Sequence, residues 1–413
     1  MSSKPKDNYP TWNADTDYAI GFYKYISQLF GVWPFDPRNV FSEIRIIVAF
    51  MFQVTMGVHC IREILSSCVQ DREVVGLFGL FTASVLVAIK VVVLRLNQTR
   101  MAFIITSAVV DWCDVKDPQS RDTMRLYAHT GRIIFTFEAI LVTLAIGSLA
   151  LISLPTIVDT EITGNSSLLA SSGDPLTVPI ATKRLLPMGT DCFVADFSSA
   201  LYVSFFAFQV VQLFVNGVGN MGNDAYFFSL TMHVCAQFEL LKRRLEKFGY
   251  NQDKRICREE FANLVRRHNH LMAVTMNFEK VYNPIVFWVL ATNAVHLSIL
   301  GLEVLICMKS GDLSGVMQVI TKICVLYAQL LLYSYAGDCL SSQNSKLRDA
   351  AYNCRWYDLS PIIARDFIFV IMKSNQSFRL TAGKVYEMNM NNFKNIIKTM
   401  FSYFSMLRIM FNM

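Results

Sequence analysis

The sequence predicts an all-α membrane protein: seven transmembrane helices, with cytoplasmic helical extensions forming an anchor domain. Three observations carry this expectation. The chain is 53% hydrophobic and only 17% charged, a low charge density for a soluble protein. Its apolar residues gather in seven runs, near 44–66, 74–95, 132–154, 194–218, 281–307, 313–337 and 390–411. A bilayer needs about 20 such residues per crossing. The third observation is that Lys and Arg concentrate in alternate connections between the runs.

The first 43 residues are polar, with Pro5, Pro10, Pro34 and Pro37 scattered through them and no cleavable signal pattern, so the first span acts as the insertion signal. Lys4, Lys6, Lys24 and Arg38 lie in this segment. Arg95, Arg100, Lys116, Arg121 and Arg125 follow the second run, ten basic residues fall in 219–280 and seven in 338–389. The intervening connections hold only Arg72, then Lys183 and Arg184, then Lys309. Basic connections stay cytoplasmic, which puts the N-terminus inside and, after seven crossings, the C-terminus outside. The expected organisation is a cytoplasmic segment (1–43), four spans (44–218), cytoplasmic helical extensions (219–280), the fifth and sixth spans (281–337), cytoplasmic anchor helices (338–389) and a last helix (390–413).

The fourth run does not stop at the bilayer. Phe228, Met232, Cys235, Phe238, Leu241 and Leu245 keep the spacing of an amphipathic helix. From 193 to 248 such a helix is on the order of 80 Å long, against about 30 Å of hydrocarbon, so several turns project into the cytoplasm before Gly249 ends it. The fifth helix mirrors it through Ile256, Phe261, Leu264, Val265, Leu271 and Val274. Ser360 and Pro361 cap and start a further helix, apolar but too short to cross, which is expected to be buried below the membrane.

Smaller features refine the picture. Asn165-Ser166-Ser167 falls in the largest outside loop and makes Asn165 a glycosylation candidate, whereas the triplets at Asn97 and Asn375 fall inside. Of ten cysteines, only Cys68, Cys192 and Cys307 lie near the outer face, as one bridge among them or as three thiols. No metal-ligand spacing, nucleophile elbow or phosphate loop occurs, so neither a metal, a cofactor nor an enzymatic activity is expected, and nothing points to nucleic acid. A transporter would show internal repeats. A G-protein-coupled receptor would begin outside, and "NPIVF" at Asn283–Phe287 lacks that class's tyrosine. Lys90 is expected to snorkel to the cytoplasm. Glu138, His296, Glu303 and Lys322 take structural roles, with Lys322 pairing with Glu138 or Glu303. The run "LLKRRLEKFGY" has the pattern of a calmodulin target, or is simply a solvated basic face.

The last helix is amphipathic in an unusual way. Asn392, Asn395, Thr399, Ser402, Met406, Ile409 and Met410 share one face, running from amides through hydroxyls to methionines. Phe393, Ile396, Met400, Phe404 and Leu407 form the opposite face. A polar stripe inside a membrane faces water or another helix. The plain alternative is a set of hydroxyls bonded to their own helix or to a neighbour.

From Ala336 to Met410 the chain resembles the C-terminal part of insect odorant receptors. The resemblance rests on Gly337-Asp338, Ser341, Ala351-Tyr352 through Trp356-Tyr357, Leu380-Thr381-Ala382-Gly383, Phe393, Lys398-Thr399 and Ser402-Tyr403-Phe404. The gustatory relatives favour a different ending, where this chain has Arg408 and Ile409. The resemblance implies a heterotetrameric, odorant-gated, non-selective cation channel in the plasma membrane of a sensory neuron dendrite. In it, this chain is the tuning subunit and a shared co-receptor joins it through the cytoplasmic anchor helices. A gustatory-type or self-sufficient homotetrameric channel is the alternative. The seventh helix then lines the pore, with Asn395, Thr399 and Ser402 facing it, and matching Tyr403-Phe404 to the family motif puts the gate at Met406 and Met410.

The implied odorant is a small, volatile, mostly apolar ligand in the outer half of the second, third, fourth and sixth helices, where closed apolar cavities with few polar groups suit it. By depth, the candidates are Phe78, Phe81 and Thr82; Thr143, Gly147 and Leu151; Leu201, Tyr202, Phe205 and Phe206; and Met317, Thr321 and Cys324. Tyr202 is favoured for a hydrogen bond to the ligand.

Overall fold

A computed structural model describes residues 12–36, 39–66, 71–152, 186–188, 198–248, 254–374 and 378–410. Its elements, in order, are α1 (Ala14–Thr16), which passes through one π-helical turn into α2 (Phe22–Leu29), then α3 (Val40–Leu65), α4 (Asp71–Leu96), α5 (Gln98–Asp114), α6 (Pro118–Ile152), α7 (Ser199–Glu246), α8 (Lys254–Ser310), α9 (Leu313–Asn353), α10 (Pro361–Ser374), β1 (Thr381–Ala382), β2 (Tyr386–Glu387) and α11 (Met390–Met410).

Among the described residues six helices, α3, α4, α6, α7, α8 and α9, are long and apolar enough to cross a membrane. They coincide with the first six expected runs. α11 occupies the seventh and has 21 residues, enough to span, while its Asn, Lys, Thr and Ser residues leave it outside that group. Large apolar side chains along the helices face outward, among them Ile47, Leu144, Phe214 and Trp288, as lipid-facing residues do.

α7, α8 and α9 run well past the length a bilayer requires, as their amphipathic periodicity indicates, and their extensions form the main core. Phe227 stacks on Phe278 with ring centroids 5.2 Å apart and lies 4.6 Å from the Tyr333 ring. Lower down, Phe367 of α10 stacks on Phe248 at 5.8 Å and meets Phe261 at 5.6 Å. α10 thus packs on the extensions through Ile363 and Phe367, but it is not the buried helix expected: Ile362, Ile368, Phe369 and Met372 on its other face are exposed. Leu241, Leu245 and Phe248 of the basic run sit in this core, so that run keeps only its charged face for solvent.

α5 is an element beyond the expected ones, inside a connection read only for its charges. Met101, Ile104, Ile105, Ala108, Val109 and Trp112 recur at helical spacing, and the same residues are buried. Asp111 of α5 binds Arg267 of α8 at 2.8 Å and His233 of α7 at 3.2 Å. Burial pushes the Asp111 carboxyl up, but the His233 hydrogen bond and the charges of His233 and Arg267 outweigh it and hold it below the usual range. The N-terminal helix is pinned nearby. The Asn13 side chain caps it by accepting from the Thr16 N–H at 2.8 Å and donates to the Trp112 carbonyl at 3.1 Å. Asp15 accepts from Arg125 and pairs with Arg121 at the foot of α6.

The segment between α10 and α11 is a hairpin with Thr381 opposite Glu387 and Ala382 opposite Tyr386. Gly383 and Lys384 both have left-handed backbones, φ 60° and 61°, and the Val385 N–H donates to the Ala382 carbonyl at 3.1 Å. That is the turn in which both central residues need positive φ. The hairpin is clamped to α8 by Asn283, whose Nδ2 donates to the Thr381 carbonyl at 2.8 Å and to its hydroxyl oxygen at 2.7 Å. The Thr381 hydroxyl donates to Glu279 Oε1 at 2.8 Å. Asn283-Pro284 is therefore a docking clamp within a continuous helix. On the other side the hairpin meets Gly337, where a Cβ would lie 2.1 Å from the Met388 carbonyl oxygen, so α9 accepts the hairpin only through a glycine.

Candidate functional site

Between α4, α6, α7, α8 and α9 lies a cavity of about 570 Å³. Its apolar wall comes from residues such as Phe78, Leu80, Val142, Ile146, Ile299 and Leu326. The described segment 186–188 closes one side of it. The Met188 carbonyl lies 2.8 Å from His59 Nε2 of α3, and the Met188 N–H donates to Gln209 Oε1 of α7 at 3.1 Å.

Polar groups enter this apolar space at several depths. Thr82 and His296 meet side chain to side chain across the cavity, and Phe78 lies edge-on to the His296 ring at 6.4 Å. Lys322 approaches Glu303 at 3.5 Å, the second of its two expected partners. At the end nearer the extensions stand Glu138, Asn220, Asp224 and Gln329. Lys90 sits behind them. It is wholly buried and makes an ion pair with Asp224 at 2.7 Å, with Asn220 Oδ1 at 3.2 Å. The snorkelling expected of Lys90 does not occur, because α7 supplies a carboxylate within reach and solvation is unnecessary.

The sequence candidates distribute unevenly around this space. Phe78 and Thr82 line it. Phe81 points to the other side of α4, onto the small core of Met56, Cys60 and Leu77. On α6 the lining residues are Glu138, Leu141, Val142, Ala145, Ile146 and Leu149. Thr143, Gly147 and Leu151 do not line it, and Thr143 and Leu151 are exposed. On α9 Gln318, Lys322, Val325 and Leu326 line the wall, whereas Met317 and Cys324 are exposed and the Thr321 hydroxyl donates to the Met317 carbonyl at 2.9 Å. Tyr202 is buried with Leu186, flanked by Phe205 and Phe206, in a separate cluster, and Leu201 is half exposed. The α8 contribution, Thr292, Asn293, His296, Ile299, Leu300 and Glu303, was absent from the candidates. Its signal was present in the sequence: ionisable residues inside a span face the bundle interior.

α11 packs on α8 and α9. Phe393 and Ile396 join the main core and Met400 is buried. Asn395, Thr399, Ser402 and Met406 are exposed on the opposite face. The hydroxyls of Thr399, Ser402 and Ser405 donate to the Asn395, Lys398 and Phe401 carbonyls at 2.9, 3.1 and 2.9 Å, which satisfies them within the helix. The Met410 and Arg408 side chains, Asn165, Cys68 and Cys192 lie outside the described residues; Cys307 is buried. Among the described residues no cluster of His, Cys, Asp or Glu has the makings of a metal site.

A bundle of membrane-crossing helices around a mostly apolar cavity defines a class: polytopic, all-α membrane proteins. The family model described as the seven-transmembrane odorant receptor matches residues 72–401, and the chain belongs to that family, as a multi-pass membrane protein. It is 26% identical to odorant receptor 13a of Drosophila melanogaster over 191 residues, 43% of this chain and 46% of that protein. It is 24% identical to the odorant receptor coreceptor of Anopheles gambiae over 148 residues, 35% of this chain and 30% of that protein. In its first alignments the chain spans about half the length of the curated relatives. In fold it is similar to the olfactory receptor OR5 of Machilis hrabei in complex with eugenol, with a TM-score of 0.72 at 14% identity, over 95% of this chain and 99% of that one. The same receptor in a second structure gives 0.74 at 13% identity, with the same coverage.

Proposed function

We propose that this chain is the odorant-binding, tuning subunit of a heterotetrameric, odorant-gated, non-selective cation channel, assembled with a co-receptor. One observation carries the reading. Two of the five helices that wall the cavity, α8 and α9, are the ones on which α11 rests, and α11 turns Asn395, Thr399, Ser402 and Met406 away from the chain's own core. A ligand in the cavity then acts on the pore helix through two rigid supports. It opens the channel only to the extent that it binds the open arrangement better than the closed one.

In this reading the apolar end of the exposed stripe, Met406 with Met410, is the constriction, since an apolar ring can close a pore by dewetting. Asn395, Thr399 and Ser402 face the conducting water. The extensions of α7, α8 and α9 with α10 form the surface where subunits join. The cytoplasmic N-terminus and outer C-terminus follow the distribution of basic residues, and the plasma membrane location follows from the family. Support comes from the likeness to an odorant receptor coreceptor and to a receptor held in complex with eugenol.

The experiment is to express the chain alone and with a co-receptor and record current while a panel of volatiles is applied. The reading expects current that needs both chains and whose ligand ranking changes with Phe78→Ala or His296→Ala. Current from this chain alone would replace the heteromer with a homotetramer. No current and no ligand binding in either condition would overturn the reading.

A further inference from the structure

The cavity wall holds more acid than base. Glu138, Asp224, Glu303 and Asp312 line it against Lys322 and His296. Asp224 is fully engaged: Oδ1 accepts from Lys90 at 2.7 Å and from Tyr333 at 2.5 Å, and Oδ2 from Gln329 at 2.6 Å. Glu303 has Lys322 at 3.5 Å from Oε1, although its Oε2 is also buried without a hydrogen-bond partner. Among the described residues Glu138 has no such ion pair. It is 7% exposed, and its Oε2 is buried without a hydrogen-bond partner. The base whose charge reaches it, Lys90, is committed to Asp224 and Asn220.

A buried carboxyl oxygen without a donor is costly. Glu138 lies about 21 Å from the far end of α6, counted to Ile152, so bulk water is distant on that side. Above it Leu141, Val142 and Ala145 continue the same face of α6 as hydrocarbon wall. The arrangement is an apolar sleeve whose floor, beside the engaged Asn220, Asp224 and Gln329, carries one carboxyl with an unpartnered oxygen. Alkanes leave that acceptor unpaired. Alcohols can pair with it through a neutral hydrogen bond. Amines pair with charge assistance, roughly twice as strong as a neutral bond.

We propose that the cavity is tuned to small aliphatic amines, the nitrogen docking on the Glu138 carboxyl and the hydrocarbon part lying along Leu141, Val142 and Phe78. This rests on reading the cavity as the ligand site. Amine and carboxyl share one proton between nitrogen and oxygen. The pair is net neutral whichever atom holds it, so binding adds no charge to the membrane interior.

The test uses the full chain purified in detergent and three probes of matched shape, hexan-1-amine, hexan-1-ol and heptane, with binding read as the shift in thermal unfolding against probe concentration. The amine is expected to bind about tenfold to a hundredfold more tightly than the alcohol, and heptane more weakly still. Glu138→Gln keeps a neutral acceptor and brings the amine down to the affinity of the alcohol; Glu138→Met removes the acceptor, brings amine and alcohol down toward heptane, and decides if the Gln variant does not fold. The wild-type ranking decides by itself if neither variant is recovered. Alcohol or heptane binding as tightly as the amine overturns the amine tuning while keeping the cavity as the ligand site. An amine preference that survives in both variants overturns the role of Glu138. Failure of all three probes to bind overturns this proposal together with the reading of the cavity as a ligand site.

Discussion

Lys90 and Asp224 are partners inside the bundle: Nζ lies 2.7 Å from Oδ1, with the side chains 0% and 3% exposed. The pair joins α4 to α7, and Tyr333 and Gln329 extend it to α9. Three helices of the cavity wall are thereby fixed by one carboxylate. Removing one partner strands the other charge, which costs about 3–5 kcal/mol, whereas replacing both by apolar residues is far milder. Lys90→Met and Asp224→Leu should each lower the melting temperature of the purified protein strongly, and the double variant should recover most of the loss.

Gly337 and Met388 make the second prediction. The Met388 carbonyl oxygen occupies the space a Gly337 side chain would need. Gly337→Ala should displace the hairpin from α9, at about 1–3 kcal/mol for overpacking. Asn283→Ala, which removes the clamp on Thr381 without adding volume, should loosen the same hairpin. Faster proteolysis between α10 and α11 in both variants, with α3 to α6 unaffected, is the expected result.

The cavity wall gives a third. Phe78→Ala and His296→Ala remove lining atoms and should shift ligand ranking in current recordings. Thr143→Ala and Cys324→Ala, on exposed faces of α6 and α9, should leave the ranking where it was. Equal effects from both groups would place the ligand elsewhere.

A fourth concerns pH, at Asp111, which lies outside the spans. His233 and Arg267 hold its carboxyl below the ordinary value despite burial. A lowered folded-state pKa stabilises the fold fully above the unfolded value, about 3.9, and that contribution is lost as pH falls beneath it. Asp111→Asn should therefore flatten the acid limb of the stability curve below about pH 4 and lower stability at pH 7.

The expected spans coincide with α3, α4, α6, α7, α8, α9 and α11, because long apolar runs leave few alternatives once a bilayer is the solvent. The helical extensions were legible too, through Phe238, Leu241 and Leu245 at helical spacing. What was not legible was rotation. In a helix apolar all round, Thr143 and Val142 look alike, and periodicity does not say which meets lipid and which meets a neighbour. The polar residues break that symmetry: Gln318, Lys322 and Gln329 mark the inner face of α9, and His296 and Glu303 that of α8. Weighing their direction, rather than treating them as isolated structural residues, points to the wall actually found. α5 hid behind its charges, since Arg100 and Lys116 bracket an apolar stripe that needed a helical reading. The hairpin hid because two-residue strands carry almost no pattern; its signal was Gly383 alone.

The central claim is that α11 contributes its Asn395–Thr399–Ser402–Met406 face to a water-filled ion path. Its most direct measurement is thiol modification of single cysteines along α11 during odorant-evoked current in the assembled channel, using a charged, membrane-impermeant reagent. The account predicts that Thr399→Cys, Ser402→Cys and Met406→Cys channels are blocked on modification, faster when open, while Phe393→Cys and Met400→Cys channels are not. Block at Phe393→Cys and Met400→Cys with no effect at Ser402→Cys would contradict it.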